Sequence, residues 1–187
     1  GFALQQDSRT ISGRLGTTLN GDIGSWRWNF TGAYDLSDSE TFTDVEGFAP
    51  NRADAVSSQG NASLLLNGTV FELPAGNVST SVRVGGSTLD FESRSFRFGD
   101  AVESRLSRDV GSARGNIDLP IASRSRDVLP FLGQLSVNAN AEVERLSDFG
   151  TLLSIGYGAN WSPLTGVRLI ASVVDEENAP SPQQLGN

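Results

Sequence analysis

Residues 26–36 read WRWNFTGAYDL, and apolar side chains occupy nearly every second position of this stretch. In an extended strand, alternate side chains point to opposite sides. The apolar side carries Trp26, Trp28, Phe30, Tyr34 and Leu36. The alternation returns in residues 135–144, LSVNANAEVE, and in residues 153–162, LSIGYGANWS. Repeated short alternating segments are typical of a β-barrel whose outer side meets lipid.

The composition excludes several classes of function. The 187 residues include no Cys and no His, so most zinc sites, thiol nucleophiles and His-based triads cannot be built from this chain. The net charge of -8 argues against nucleic acid as a partner, because that binding needs a basic face. No apolar run approaches the roughly twenty residues of a transmembrane helix. We predict that the chain is not an enzyme and has no catalytic residue, metal site or cofactor.

The predicted fold class is all-β, an antiparallel up-and-down transmembrane β-barrel segment of about eight strands in four hairpins. The strands are predicted near residues 9–20, 26–36, 62–71, 78–91, 110–121, 135–144, 153–162 and 167–177. Tight turns near Gly21, Pro74, Leu129 and Pro163 alternate with longer polar connections, of which residues 36–60 and 93–108 are the largest. The short connection near Phe149 is an exception. Such asymmetry is typical of outer-membrane barrels, which have short periplasmic turns and long outer loops. A further turn is predicted near residues 182–185.

Two sets of side chains are predicted to face different surroundings. Charged residues on the polar sides of the strands are candidates to face the lumen, and they are Arg14, Arg83, Arg114, Asp118, Glu142 and Glu144. Ion pairing of these arginines with acids such as Asp118 or Glu142 is favoured over contact with an anionic solute or a plug. Aromatic residues near the tight turns are predicted to form an interfacial girdle, and they are Trp26, Trp28, Phe71, Phe131 and Trp161.

Three segments resemble the barrels of TonB-dependent receptors, which are outer-membrane importers. VFELPAG, residues 70–76, resembles a strand and periplasmic turn of that family. IDLPI, residues 117–121, is similar to strands that end at a turn of this kind. Residues 158–187, GANWSPLTGVRLIASVVDEENAPSPQQLGN, look like a later barrel hairpin.

The resemblance implies a location, partners and an activity. The location would be the outer membrane of a Gram-negative bacterium, and the partners would be membrane lipid, a plug and TonB. Family barrels have about twenty-two strands around a plug. Residues 1–187 are therefore expected to be a partial barrel domain without a plug domain, a fragment that needs the plug and the remaining strands. The implied activity is TonB-dependent uptake of a nutrient such as a metal-siderophore complex or an oligosaccharide.

Two alternatives remain open at this point. A soluble or secreted β-sandwich that serves as a binding module has the same strand alternation. A small passive outer-membrane barrel of eight strands keeps the membrane but not TonB, and it predicts that the first and last strands pair with each other.

Overall fold

A computed structural model describes residues 5–44, 51–97 and 100–180. The described chain forms eight strands in a single sheet, in the order β1 to β8, and every neighbouring pair is antiparallel. The strands are β1 (Gln6–Ile23), β2 (Trp26–Thr43), β3 (Asn51–Leu73), β4 (Gly76–Arg97), β5 (Asp100–Ala122), β6 (Gln134–Leu146), β7 (Gly150–Ser162) and β8 (Leu169–Glu176). The all-β, up-and-down architecture predicted from the alternation is thus confirmed. The turn predicted near residues 182–185 lies outside the described residues.

The strand register sorts the side chains into two faces. Directly paired residues of antiparallel strands lie on the same face of the sheet. One row across seven strands is wholly apolar: Leu19, Phe30, Leu64, Val84, Ala113, Val143 and Leu153. The row one residue away lies on the other face and has no large apolar side chain through β6: Thr18, Thr31, Ser63, Gly85, Ser112 and Glu144. We call the face of Leu19 the apolar face and the face of Thr18 the polar face.

The sheet is open. Among the described residues, β1 pairs only with β2 and β8 pairs only with β7, so the two outermost strands do not meet. The pairing of first and last strands that a closed eight-stranded barrel requires is absent from this sheet. Both outer strands therefore present a free edge of backbone hydrogen-bonding groups.

The two long polar loops predicted at residues 36–60 and 93–108 are largely wrong. β2 continues to Thr43 and β3 begins at Asn51. β4 ends at Arg97 and β5 begins at Asp100, so most of residues 93–108 belong to strands. Cross-strand ion pairs support these polar extensions in place of apolar packing: Arg94 with Glu103 at 2.7 Å, Arg105 with Glu92 at 2.8 Å, and Arg52 with Glu40 at 2.9 Å. The two ends of the sheet thus differ in how far the strands extend and not in the length of the loops. We call the end that holds the β2–β3 and β4–β5 connections the extended end.

The opposite end, which holds the β1–β2 turn at residues 24–25, is the turn end. The tight turn predicted near Leu129 is wrong, because residues 123–133 form an eleven-residue connection with a short 3-10 helix, Pro130–Leu132. This connection is held by its neighbours. The Trp161 indole donates a hydrogen bond to the Leu132 carbonyl at 2.8 Å, and Arg126 pairs with Glu72 at 2.7 Å. It ties the β3–β4 turn to β7.

Very little of the described chain is buried. The buried apolar residues are Ala75, Val78, Ala122, Leu146 and Leu152. Large apolar side chains on the apolar face are instead open, and Leu15 is 76% exposed. Among the described residues no helix is both long and apolar enough to cross a membrane. Apart from Val78 and Ala122, which are buried next to the turn end, the apolar face is therefore a single layer of sheet that nothing in the described chain covers.

Candidate functional site

The apolar face contains a zone without charge. Each strand except β7 has, counted from the extended end, a last charged residue on this face. Beyond it, no described residue of the face is Arg, Asp or Glu. These last charged residues are Arg9, Asp38, Asp54, Asp90, Asp109, Arg145 and Asp175, on β1 to β6 and β8. β7 has no charged residue on this face at all. Every described strand thus offers lipid-compatible side chains over the part of this face nearest the turn end.

The border of this zone crosses the strands obliquely. On β1 the border lies at Arg9, whereas Asp175 on β8 shares a row with Gly21 of β1. Measured along β1, the border therefore moves by twelve residues, from position 9 to position 21, between β1 and β8. These two strands are seven steps apart in the sheet, so the border moves by about 1.7 residues per strand. With a rise of about 3.3 Å per residue and strands about 4.8 Å apart, this corresponds to strands inclined by about 50°. Strands of transmembrane barrels tilt by roughly 35–45°.

Aromatic rings lie over glycines of the neighbouring strands. A Cβ added to Gly68 would lie 2.5 Å from the Trp26 ring, and one added to Gly21 would lie 2.8 Å from the Trp28 ring. Each glycine is the direct register partner of its tryptophan. Aromatic side chains that cover cross-strand glycines stabilise curved sheets. No local sequence pattern marks these two glycines, because their role depends on the register.

The predicted girdle residues are divided between two settings. Trp26, Trp28, Phe71 and Trp161 lie on the apolar face within strands near the turn end. Phe131 lies in the 3-10 helix, off the strands, and is 79% exposed. Phe131 thus lies in the β5–β6 connection at the turn end, and its interfacial role stays a prediction. An interfacial role for the other four aromatics stays a prediction.

All six candidates for the lumen lie on the polar face: Arg14, Arg83, Arg114, Asp118, Glu142 and Glu144. Arg114 on β5 donates to Glu142 on β6, with Nε 2.8 Å from the Glu142 carboxylate. Arg14 on β1 pairs with Asp35 on β2 at 3.3 Å. The polar face thus carries charged side chains in the part of the sheet where the apolar face has none. The two faces therefore suit different solvents. That the polar face lines a lumen stays a prediction.

The most enclosed ion pair lies at the extended end of the polar face. The side chain of Arg108 is 10% exposed, and its guanidinium binds the Asp148 carboxylate at 2.6–2.9 Å. Both Nη atoms also donate to the Pro180 carbonyl at 3.2 Å. Because Arg108 lies on β5 and Pro180 follows β8, the chain after β8 passes over β7 and β6. In the segment after β8, the Glu177 carboxylate accepts a hydrogen bond from the backbone amide of Leu153 on β7 at 2.9 Å. We call residues 177–180 the strap.

The strap closes a cavity of about 210 Å³ lined by Glu142, Glu144 and Leu146 on one side and Asn178 and Ala179 on the other. Despite these carboxylates, the described residues contain no group of three acids arranged to hold a metal ion. The hydrogen bond from Arg108 holds the pKa of Asp148 below its ordinary value.

Replacement of Arg108 by alanine is expected to release the strap, because three hydrogen bonds to Asp148 and two to the Pro180 carbonyl depend on this guanidinium. The measurement is the anisotropy of a fluorophore attached at Ala179→Cys, in a chain with no other cysteine. Arg105→Ala is the matched control, because Arg105 lies on the same strand but on the opposite face, where it pairs with Glu92 and not with the strap. Equal anisotropy in the two variants would contradict an anchoring role for Arg108.

The same label tests the pH dependence of the strap. Since folding lowers the pKa of Asp148, its contribution is complete above the ordinary carboxyl value of about 3.9 and is lost as the pH falls through the lower folded-state value. We therefore expect the anisotropy to fall only below that ordinary value. Arg108→Ala should remove this pH step, because the Asp148 carboxylate then has no guanidinium to bind.

Comparison with protein-family models, with curated proteins and with solved structures gives no match for this chain.

Proposed function

We propose that this chain is part of the wall of an outer-membrane β-barrel, with the apolar face toward lipid and the polar face toward the lumen. The observation that carries the proposal is the charge-free zone with its oblique border. A bilayer imposes one level at which charge becomes tolerable, and tilted strands cross that level at different residues. The stagger between β1 and β8 is what such a level would produce.

The soluble β-sandwich is the competing proposal. It would also need an apolar face without charges, but that face would be covered by a second sheet about 10 Å away. All eight described strands belong to one sheet, and the exposed rings near its turn end suit a membrane interface. These features favour the membrane.

A receptor for TonB-dependent uptake of a metal-siderophore complex or an oligosaccharide is the more specific form of the proposal. Its support is the resemblance of residues 70–76, 117–121 and 158–187. The described parts of these segments lead into or contain connections at the turn end, where the family has periplasmic turns. The free edges of β1 and β8 suit a wider barrel completed by further strands. In this proposal the remaining strands, a plug and TonB are the partners.

Cysteine labelling tests the orientation of the two faces, because the chain has no native cysteine. Spin labels at Phe30→Cys and Ile155→Cys on the apolar face should be accessible to oxygen dissolved in the bilayer. Labels at the adjacent positions Asn29→Cys and Ser154→Cys on the polar face should be accessible to a water-soluble nickel chelate. Labels at Phe30 and Ile155 that neither reagent reaches would indicate a second protein layer and reject the membrane proposal.

A further inference from the structure

One arginine of the polar face lacks a counter-charge. Arg14, Arg27, Arg108 and Arg114 on this face each pair with a carboxylate. Among the residues that the structure describes, the Arg83 side chain has no ion pair and no hydrogen bond. Arg83 is also exposed, so its guanidinium is open to whatever fills the space beside this face.

The neighbours of Arg83 increase the imbalance. Its direct partners are Leu65 on β3 and Arg114 on β5. Like charges directly opposite each other on paired strands are destabilising. Glu142 lies beyond Arg114 and is engaged by it, so this carboxylate neutralises only one of the two cations. The row thus carries two positive charges and one negative charge across β4, β5 and β6.

Neutral hydrogen-bonding groups surround this excess charge. The positions flanking Arg83 along its own face of β3, β4 and β5 are Ser63, Asn67, Ser81, Gly85, Ser112 and Asn116, none of them acidic. Asn67, Ser81 and Asn116, which flank Arg83 on the side of the turn end, also line a cavity of about 620 Å³ whose far side holds Arg27 and Asp22. Hydroxyl and amide groups beside an unpaired guanidinium suit a ligand that has both hydroxyls and an oxyanion.

We propose that Arg83, with Ser81 and Asn116, forms a subsite for a small anionic solute, a carboxylated or phosphorylated sugar. The inference rests on the proposed function, since it needs the polar face to line a water-filled lumen. The guanidinium donates two parallel hydrogen bonds to the carboxylate or phosphate. The bound anion offsets the repulsion between Arg83 and Arg114, and the Ser and Asn side chains bind the sugar hydroxyls.

Calorimetric titration of the full chain in detergent micelles tests the subsite, with glucuronate, glucose 6-phosphate and neutral glucose as probes. Both anionic probes should bind, and glucose should bind at least tenfold more weakly. Arg83→Gln should weaken anion binding by about tenfold or more, because charge-assisted hydrogen bonds are lost. Arg83→Lys, which keeps the charge but not the two-pronged geometry, should give an intermediate affinity. Arg14→Gln is the matched control, because Arg14 already pairs with Asp35 on the same face.

Three outcomes would overturn this inference: no anion binding by the native chain, equal weakening by Arg83→Gln and Arg14→Gln, or loss of thermal stability in Arg83→Gln without loss of anion affinity. The last would indicate that a carboxylate of the protein itself occupies Arg83. The spin labels at Phe30 and Ile155, read in the same micelles, separate the two proposals. Detergent-accessible labels without anion binding reject the subsite alone, whereas labels shielded by protein reject the membrane orientation.

Discussion

Replacement of Leu19 by arginine is expected to prevent stable insertion of the chain into a bilayer. Leu19 belongs to the row in which seven strands are apolar, well inside the charge-free zone of the apolar face. Arginine on the lipid side of a barrel strand near the bilayer centre costs about 2–4 kcal/mol. The measurement is the free energy of unfolding from phospholipid vesicles in urea.

Thr18→Arg is the matched control for this prediction. Thr18 precedes Leu19 on the same strand, is exposed as Leu19 is, and points to the polar face. Arginine at this position meets water, so the free energy of unfolding should change by less than about 1 kcal/mol. If Thr18→Arg were the more damaging substitution, the assignment of the two faces would be reversed. Equal tolerance of both would place water on both sides of the sheet.

Replacement of Gly68 by valine is expected to displace the Trp26 indole. Three ring atoms of Trp26 lie 2.5–2.9 Å from the position that a Cβ on residue 68 would take, which is closer than carbon atoms can approach. The ring must leave its place over β3 or the two strands must separate. Overpacking of this kind costs about 1–3 kcal/mol. Urea unfolding gives the free energy, and the emission maximum of tryptophan fluorescence reports the displaced ring.

Gly115→Val is the control that distinguishes a clash with a neighbouring ring from the general effect of replacing a strand glycine. Gly115 lies on the same apolar face between Val82 and Ala141, and nothing approaches within 4 Å of the position of its added Cβ. Valine there fills open space and has a higher strand propensity, so we expect unchanged or increased stability. An equal loss in both variants would mean that flexibility of the backbone, and not the ring over Gly68, explains the effect.

The sequence predicted the strands well where one side of the chain is apolar. Trp26 to Leu36 shows why: the alternation of side chains is a local property, and it survives whatever partner the strand acquires. The same logic failed beyond Leu36, where Ser, Asp and Thr occupy both faces and the stretch was interpreted as a loop. Those residues are strand because β1 and β3 continue beside them and because charged partners such as Glu40 and Arg52 meet across strands.

The candidate sites divide in the same way. Polar-face residues such as Arg114 and Glu142 could be assigned to one side from alternation alone, and an ion pair between them was foreseen as one outcome. The isolation of Arg83 could not be foreseen, because it depends on which residues stand beside it on β3 and β5. Neither could the strap, since Arg108 and Pro180 are 72 positions apart in the chain.

By itself, the sequence determined the fold class and the existence of an apolar and a polar side, because both follow from the two-residue period of an extended chain. Only the tertiary structure decided the register, and with it the oblique border of the charge-free zone, the rings over Gly68 and Gly21, and the lack of an ion pair at Arg83 among the described residues. Register joins residues that are distant in the chain, so no local pattern specifies it. A shift by one residue would have exchanged the faces of a whole strand.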